Sequence, residues 1–151
     1  MTITSVNSST FLADTINFIR SNLDENIVDP ISSERGSNER FVMTEYPKRA
    51  VKYPIITITD TGSRQEIRLG MQSEGTALRI GIEVRVWARD VKERDELFDM
   101  IYEYLRTNQL SGDDITGANL HDFNMVSVVN VNDVDTKSKV MEVQYLFICQ
   151  W

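Results

Sequence analysis

The residues that could do chemistry in this chain are few and far apart. Its 151 residues include one histidine, His121, and one cysteine, Cys149. Nucleophilic catalysis usually needs a base beside the nucleophile, and histidine is the commonest base. His121 lies in a polar loop, whereas Cys149 belongs to an apolar strand pattern, in which a thiol acts as a small packed side chain. The sequence therefore predicts neither a Cys–His catalytic pair nor an internal disulfide, and we expect no enzyme.

Acidic residues gather in two loops without forming a recognisable metal site. Asp113, Asp114, His121 and Asp122 could hold a hard cation, but a zinc site needs several cysteine or histidine ligands at short spacing. The segment 130–135 lacks the glycine at the sixth position of a calcium loop, and no glutamate follows at the twelfth. No glycine-rich phosphate-binding motif is present. We therefore expect no metal and no cofactor.

The element that organises the chain is a long alternating segment, residues 77–89. Its even positions are apolar from Leu78 to Ala88, and its odd positions are mostly charged. Side chains of a strand alternate between two faces, so the segment predicts a strand with one core face and one polar face. Asp90 then caps a helix over about 91–108. The apolar stripe of this helix is expected to share the core of the strand, and it consists of Leu97, Phe98, Ile101, Tyr104 and Leu105.

The rest of the chain supplies a first helix, over about 10–23, and five further strands. The predicted fold class is α+β, in a single domain over 1–151, with two main helices packed on one face of a largely antiparallel or mixed sheet. The predicted order is α-β-β-β-β-α-β-β. The further strands are expected at 41–46, 55–60, 67–71, 123–131 and 140–149, with a turn at 61–63.

The central strand is too long for a compact domain. Its thirteen residues, at about 3.3 Å each, span roughly 43 Å, whereas a domain of this size has a radius of gyration of about 15 Å. We therefore predict that a β-hairpin over about 65–89 projects from the core, with its turn at 72–76. An isolated two-stranded arm is marginal in water. Such an arm needs another surface to lie on, and this predicts assembly.

Charge and aromatic residues indicate which partners to expect. The net charge of −7 argues against a general nucleic-acid surface, because phosphate binding needs a basic footprint. The one concentrated basic patch, with Lys48, Arg49 and Lys52, is either a contact for an acidic partner or a solvated loop. Trp87, on the polar face of the central strand, is either an interface hot spot or a ring resting on arginine side chains. No segment predicts a signal peptide or a membrane span.

Four features follow one another in an order that is known from one family. They are a first helix, the strand 53–58 that opens the sheet, the segment 78–88 that ends in Val-Trp-Ala before an amphipathic helix, and a closing pair of strands. This order resembles the tail terminator (tail completion) proteins of long-tailed bacterial and archaeal viruses. The resemblance covers about residues 10–151, and the loops 32–40 and 108–122 do not take part in it.

The resemblance implies a virion structural protein. Such a protein forms a ring, commonly a hexamer, that caps the tail tube, stops its polymerisation and joins it to the head-side neck. The implied partners are other copies of the chain, the tail tube protein and the neck connector, with genome DNA passing through the lumen. An acidic chain can line such a channel without binding DNA. The implied location is the tail or neck of the virion, after assembly in the host cytoplasm.

Two alternatives remain open. One is another neck component, such as a head-to-tail joining or stopper protein, and the other is a small-molecule-binding α+β domain, which would need a deep pocket with convergent polar groups. On the assembly interpretation, the inter-subunit or partner contacts are expected at the hairpin, the basic patch and the last residue. These are Met71, Gln72, Glu74, Leu78, Arg79, Arg85, Trp87, Lys48, Arg49, Lys52 and Trp151.

Overall fold

Two helices and five strands account for most of the residues described by the computed structural model, which are 11–36, 39–46, 52–69, 75–111, 120–132 and 137–150. The helices are α1, Phe11–Asn26, and α2, Val91–Ser111, and a short 3-10 helix covers Ser32–Glu34. The strands are β1 (Val42–Met43), β2 (Ile55–Leu69), β3 (Gly75–Ala88), β4 (Leu120–Asn132) and β5 (Lys137–Gln150).

The strands form one mixed sheet in the order β1-β2-β3-β5-β4. Strand β1 runs parallel to β2, and every other neighbouring pair is antiparallel. Strand β3 lies at the centre and pairs with β5 along its whole length, from Gly75 opposite Gln150 to Ala88 opposite Lys137. The predicted α+β class, with two helices and a mixed sheet, is confirmed.

Strand β2 is continuous where the sequence predicts two strands and a turn at 61–63. The register with β3 shifts there, because Asp60 pairs with Ile82 and regular pairing resumes only at Arg64. Gly62 has a φ of 82°, which glycine adopts without steric cost, and its N–H donates to Asp60 Oδ1 at 3.0 Å. The predicted turn is therefore a bulge. With β2 counted as two segments around this bulge, the order α-β-β-β-β-α-β-β is confirmed.

Both helices cover the same face of the sheet. The even positions of β3 from Ile80 to Val86 are buried in one cluster with the apolar stripes of α1 and α2, as predicted for β3 and α2. Leu78 packs against this cluster while partly buried. Strand β5 contributes its odd positions, and the central members are Phe18, Ile19, Leu23, Ile80, Ile82, Val84, Val86, Leu97, Phe98, Ile101, Leu105, Met141, Val143 and Tyr145.

Local side-chain contacts decide where the helices begin and end. The Glu93 N–H donates to Asp90 Oδ1 at 2.8 Å, which confirms Asp90 as the cap of α2. Helix α1 continues three residues beyond the predicted end at 23. Its last turn is supported by the Asn26 amide, which donates to Asn22 O at 2.8 Å and to the Tyr104 hydroxyl at 3.1 Å. Neither helix, over its described residues, is long and apolar enough to cross a membrane.

The hairpin of β2 and β3 is present, but it is not a two-stranded arm. At the far end of β3, Leu78 pairs with Phe147 of β5, which in turn pairs with Leu120 of β4. Four strands therefore run side by side at this level. The prediction that the hairpin needs a neighbouring subunit for support is wrong, because β5 already pairs with the second edge of β3. The residues 70–74, which include most of the predicted turn, lie outside the described part of the chain.

Replacing Val84 by aspartate tests the assignment of the core face. Val84 is 1% exposed, so the variant should lose more than about 4 kcal/mol of unfolding free energy, because it buries a carboxylate without a partner. Urea unfolding followed by circular dichroism measures the loss. Val28→Asp is the matched control, because Val28 is 77% exposed, and it should change the free energy by less than about 0.5 kcal/mol. Equal stability of the two variants would contradict the assignment.

Candidate interaction surface

The face of the sheet opposite the helices carries a group of aromatic and polar side chains around Trp87. Odd positions of β3 such as 85 and 87 point to this face, because the even positions from Ile80 to Ala88 are buried on the helix side. The Trp87 Nε1–H donates to Thr57 Oγ1 at 3.1 Å. The guanidinium carbon of Arg85 lies 4.0 Å from the centroid of the Trp87 ring, within the range of a cation–π contact. Trp87 thus rests on an arginine side chain, which is one of the two arrangements that the sequence predicts.

Arg85 is held in this position by the neighbouring strand. Its Nη2 donates to Ser138 Oγ at 3.0 Å, and the Ser138 hydroxyl donates onward to Val131 O at 3.2 Å. Ser138 is 2% exposed, so this chain of hydrogen bonds links β3, β5 and β4 within the sheet. The aromatic ring and the hydroxyl are both neutral, so neither compensates the positive charge of the guanidinium.

Two tyrosines complete the group, which we call the Trp87 cluster: Trp87, Arg85, Thr57, Ser138, Tyr46 and Tyr53. The ring centroid of Tyr46 lies 4.8 Å from that of Trp87, and the hydroxyl groups of Tyr46 and Tyr53 share a hydrogen bond. Tyr46 remains 45% exposed. Tryptophan, tyrosine and arginine are the residue types that most often dominate the energy of protein interfaces. The cluster therefore has the composition of an interface hot spot.

Hydrogen bonds with Glu34 and Arg35 hold the segment that carries Lys52 in place. Arg35 Nη1 donates to Lys52 O at 2.9 Å, and Arg35 Nη2 donates to Pro54 O. The Lys52 ammonium donates to the carbonyl of Glu34 and lies 3.9 Å from a carboxylate oxygen of Glu39. Lys52 is exposed, and these contacts hold its ammonium group beside Glu34 and Glu39.

The predicted contact residues do not form one patch. Arg85 and Trp87 lie together in the Trp87 cluster, whereas the side chain of Lys52, next to Tyr53 in the sequence, contacts Glu34 and Glu39. Leu78 is partly buried on the helix side and packs against the core, and Arg79 is half-buried. The others lie outside the described residues: Met71, Gln72, Glu74, Lys48, Arg49 and Trp151.

The described residues hold no group of three or more histidine, cysteine, aspartate or glutamate side chains that could bind a metal ion. The cation group considered from the sequence, Asp113, Asp114, His121 and Asp122, lies outside the described side chains. The side chain of Cys149 is likewise outside them. Its backbone pairs with Thr76 of β3.

Strand β4 presents a second surface feature that the sequence analysis does not predict. The strand lies at the edge of the sheet, and four of its valines are more than a third exposed: Val126 (47%), Val128 (38%), Val129 (54%) and Val131 (40%). One feature of the sequence could have indicated this surface: no charged residue occurs from Phe123 to Asn132. Alternation alone does not separate an edge strand from a central one.

A comparison of the sequence with known protein families and with characterised proteins finds no match. The function is therefore inferred from the geometry of this surface and from the order of the elements along the chain.

From the hydrogen-bonded hydroxyl groups of Tyr46 and Tyr53 we predict that the protein loses stability at high pH. Burial, the hydrogen bond shared with the Tyr46 hydroxyl and the proximity of that hydroxyl raise the pKa of Tyr53 from 10.0 to about 12. Between these values the unfolded chain loses the proton and the folded chain keeps it, so the free energy of unfolding falls as the pH rises. Tyr53→Phe should make this dependence less steep between pH 10 and 12, measured by urea unfolding. An unchanged slope in the variant would contradict the role of the Tyr53 hydroxyl.

Proposed function

We propose that the chain is a structural subunit of a viral tail, which forms a ring that caps the tail tube, stops its polymerisation and joins the tube to the neck. The observation that carries the proposal is the Trp87 cluster, because its side chains have a hot-spot composition and lie on the sheet face away from the helices. The confirmed order of helices and strands supports the resemblance to tail terminator proteins.

A ring of identical subunits needs two different surfaces on each copy, so that each copy contacts the next in the same way. The Trp87 cluster supplies one surface. The outer side of α2 supplies the other on our proposal, since Glu96, Asp99 and Met100 are exposed on the opposite layer of the subunit. The positive charge of Arg85 then faces carboxylates of the next copy, and complementary charge favours the correct orientation of two partners.

The acidity of the chain supports the same location. Its 23 acidic and 16 basic residues give a net charge of −7. DNA that passes through a channel is repelled by acidic walls, so the ring would let the genome through without holding it. The proposal therefore includes virion localisation, contact with the tail tube protein and the neck connector, and no catalytic step.

A small-molecule site fits the described residues less well than an assembly surface. A groove of about 310 Å³ beside α1 is lined by charged side chains, among them Arg20, Asp29, Arg35 and Arg40. Arg35 already donates to an Asp29 carboxylate oxygen and to two backbone carbonyls of the same chain. Arg35 and Asp29 in this groove thus fasten a loop to the rest of the chain.

Reversing the charge of Arg85 tests the proposed contact. With tail tube protein present, Arg85→Glu should weaken capping at least about 30-fold, which corresponds to a hot-spot loss of about 2 kcal/mol. The change is measured by electron microscopy, as the distribution of tube lengths at increasing concentrations of the chain. Arg40→Glu makes the same charge change beside α1, at an exposed position that belongs to neither proposed contact, and it should cap normally.

The outcomes separate the alternatives. Tubes of normal fixed length with Arg85→Glu would show that the cluster is not the contact. A wild-type chain that never binds tube ends would overturn the tail terminator proposal. Binding to the neck connector without binding to the tube would favour a head-to-tail joining or stopper protein.

A further inference from the structure

The outer edge of β4 has no neighbouring strand among the described residues. Such an edge presents a row of backbone N–H and C=O groups that can pair with another strand. Val126, Val128, Val129 and Val131 are exposed along it, between 38% and 54%. Valine is among the residues that favour strands, because its branched side chain packs well on a pleated surface. This edge therefore has both the backbone groups and the side chains that a further strand needs.

The second half of β4 lacks the features that normally protect an edge. Register shifts between β4 and β5 occur before Ser127, and from Ser127 to Asn132 the pairing is regular. Bulges, prolines and charged residues, especially lysine, discourage edge-to-edge pairing. None of these occurs in residues 127–132. The part of β2 beyond its short pairing with β1 also lies at an edge of the sheet. In contrast to β4, it has a bulge at Gly62 and charged residues from Asp60 onward.

We propose that two copies of this chain pair through the outer edges of their β4 strands and form one continuous ten-stranded sheet. A two-fold contact brings each residue close to its own equivalent, so a charged edge would repel itself. The chain has a net charge of −7, yet residues 123–132 contain no charge. An uncharged edge on an acidic chain matches a second copy of itself without this repulsion.

The two-fold axis also determines which side chains meet. Val129 and Val131 pair with Val140 and Ser138 of β5 and so lie on the helix-free face, opposite the buried Met141. An axis perpendicular to the sheet keeps every residue on its own face and makes the two β4 strands antiparallel. We place the axis beside Val129, so that Val129 of one copy lies directly opposite Val129 of the other, at a Cβ separation of about 5 Å.

This dimer goes beyond the ring proposal and does not rest on it. A two-fold contact joins subunits in pairs, whereas a ring needs the head-to-tail contact assigned above to Arg85 and Trp87. The dimer is therefore tested on the chain alone, without tail tube protein, so that its failure and the failure of the ring proposal are separate results.

The experiment measures mass in solution by size-exclusion chromatography with light scattering. The wild-type chain should have twice its monomer mass of 17.4 kDa at micromolar concentration. Val129→Lys and Val129→Glu should each reduce this to a single chain, because like charges would meet across the axis. An equimolar mixture of the two variants should restore the dimer, since the opposite charges then face each other. Val28→Lys, at a position 77% exposed on a loop, is the matched control and should remain dimeric.

A substitution at a second position shows whether loss of the dimer is due to misfolding of the Val129 variants. Val131→Lys should also give a folded single chain, with the circular dichroism spectrum of the Val28→Lys control and a cooperative melting transition, whose midpoint falls because the dimer contact is lost. A monomeric wild-type chain, or any oligomer whose mass Val129→Lys leaves unchanged, would overturn the proposal. A mixture of Val129→Lys and Val129→Glu that stays monomeric would also overturn it, because head-to-tail or foreign-strand pairing at this edge predicts no rescue.

Discussion

The pairing of β3 on both of its edges is the constraint on which the rest of the structure depends. Strand β2 pairs with one edge and β5 with the other, the latter from Gly75 to Ala88 without interruption. The even side chains of β3 from Ile80 to Val86 are buried in one cluster with both helices, so this strand determines the face on which α1 and α2 lie. A polar substitution in these even positions disturbs the sheet and both helices at once, because all three share a single core.

The surfaces available for assembly follow from this arrangement. With the helices on one face, the odd positions of β3 are left for the other face, where Arg85 and Trp87 lie against Tyr46. Because β5 occupies the second edge of β3, the outermost place in the sheet is left to β4 and its exposed valines. The proposed ring contact and the proposed two-fold contact thus use different parts of the subunit. One is a set of side chains on a face, and the other is a strand edge.

The sequence predicts the local features of this fold better than its long-range pairings. Alternation in 78–88 predicts the buried face correctly, and the position of Asp90 predicts the cap of α2, because both depend on neighbouring residues. The Thr-Gly-Ser sequence around Gly62 fits a turn and a bulge equally well, and only the pairing with β3 decides between them.

Strand β5 comes more than forty residues after β3, and periodicity identifies its face but not its neighbours. The predicted two-stranded arm is wrong for this reason. Likewise, the contact of Tyr46 with Trp87 depends on tertiary packing that no local pattern encodes.

The central claim is that copies of this chain close into a ring at the end of a tail tube. The most direct test is the mass of the complex that the purified wild-type chain forms with tail tube protein, measured by native mass spectrometry and by counting subunits in electron-microscopy class averages of tube ends. The account predicts one closed ring of identical subunits per capped end, commonly six, with a mass that rises by whole multiples of the 17.4 kDa chain. A chain that stays off the tube ends, or that binds them only as single copies without closing a ring, would contradict it.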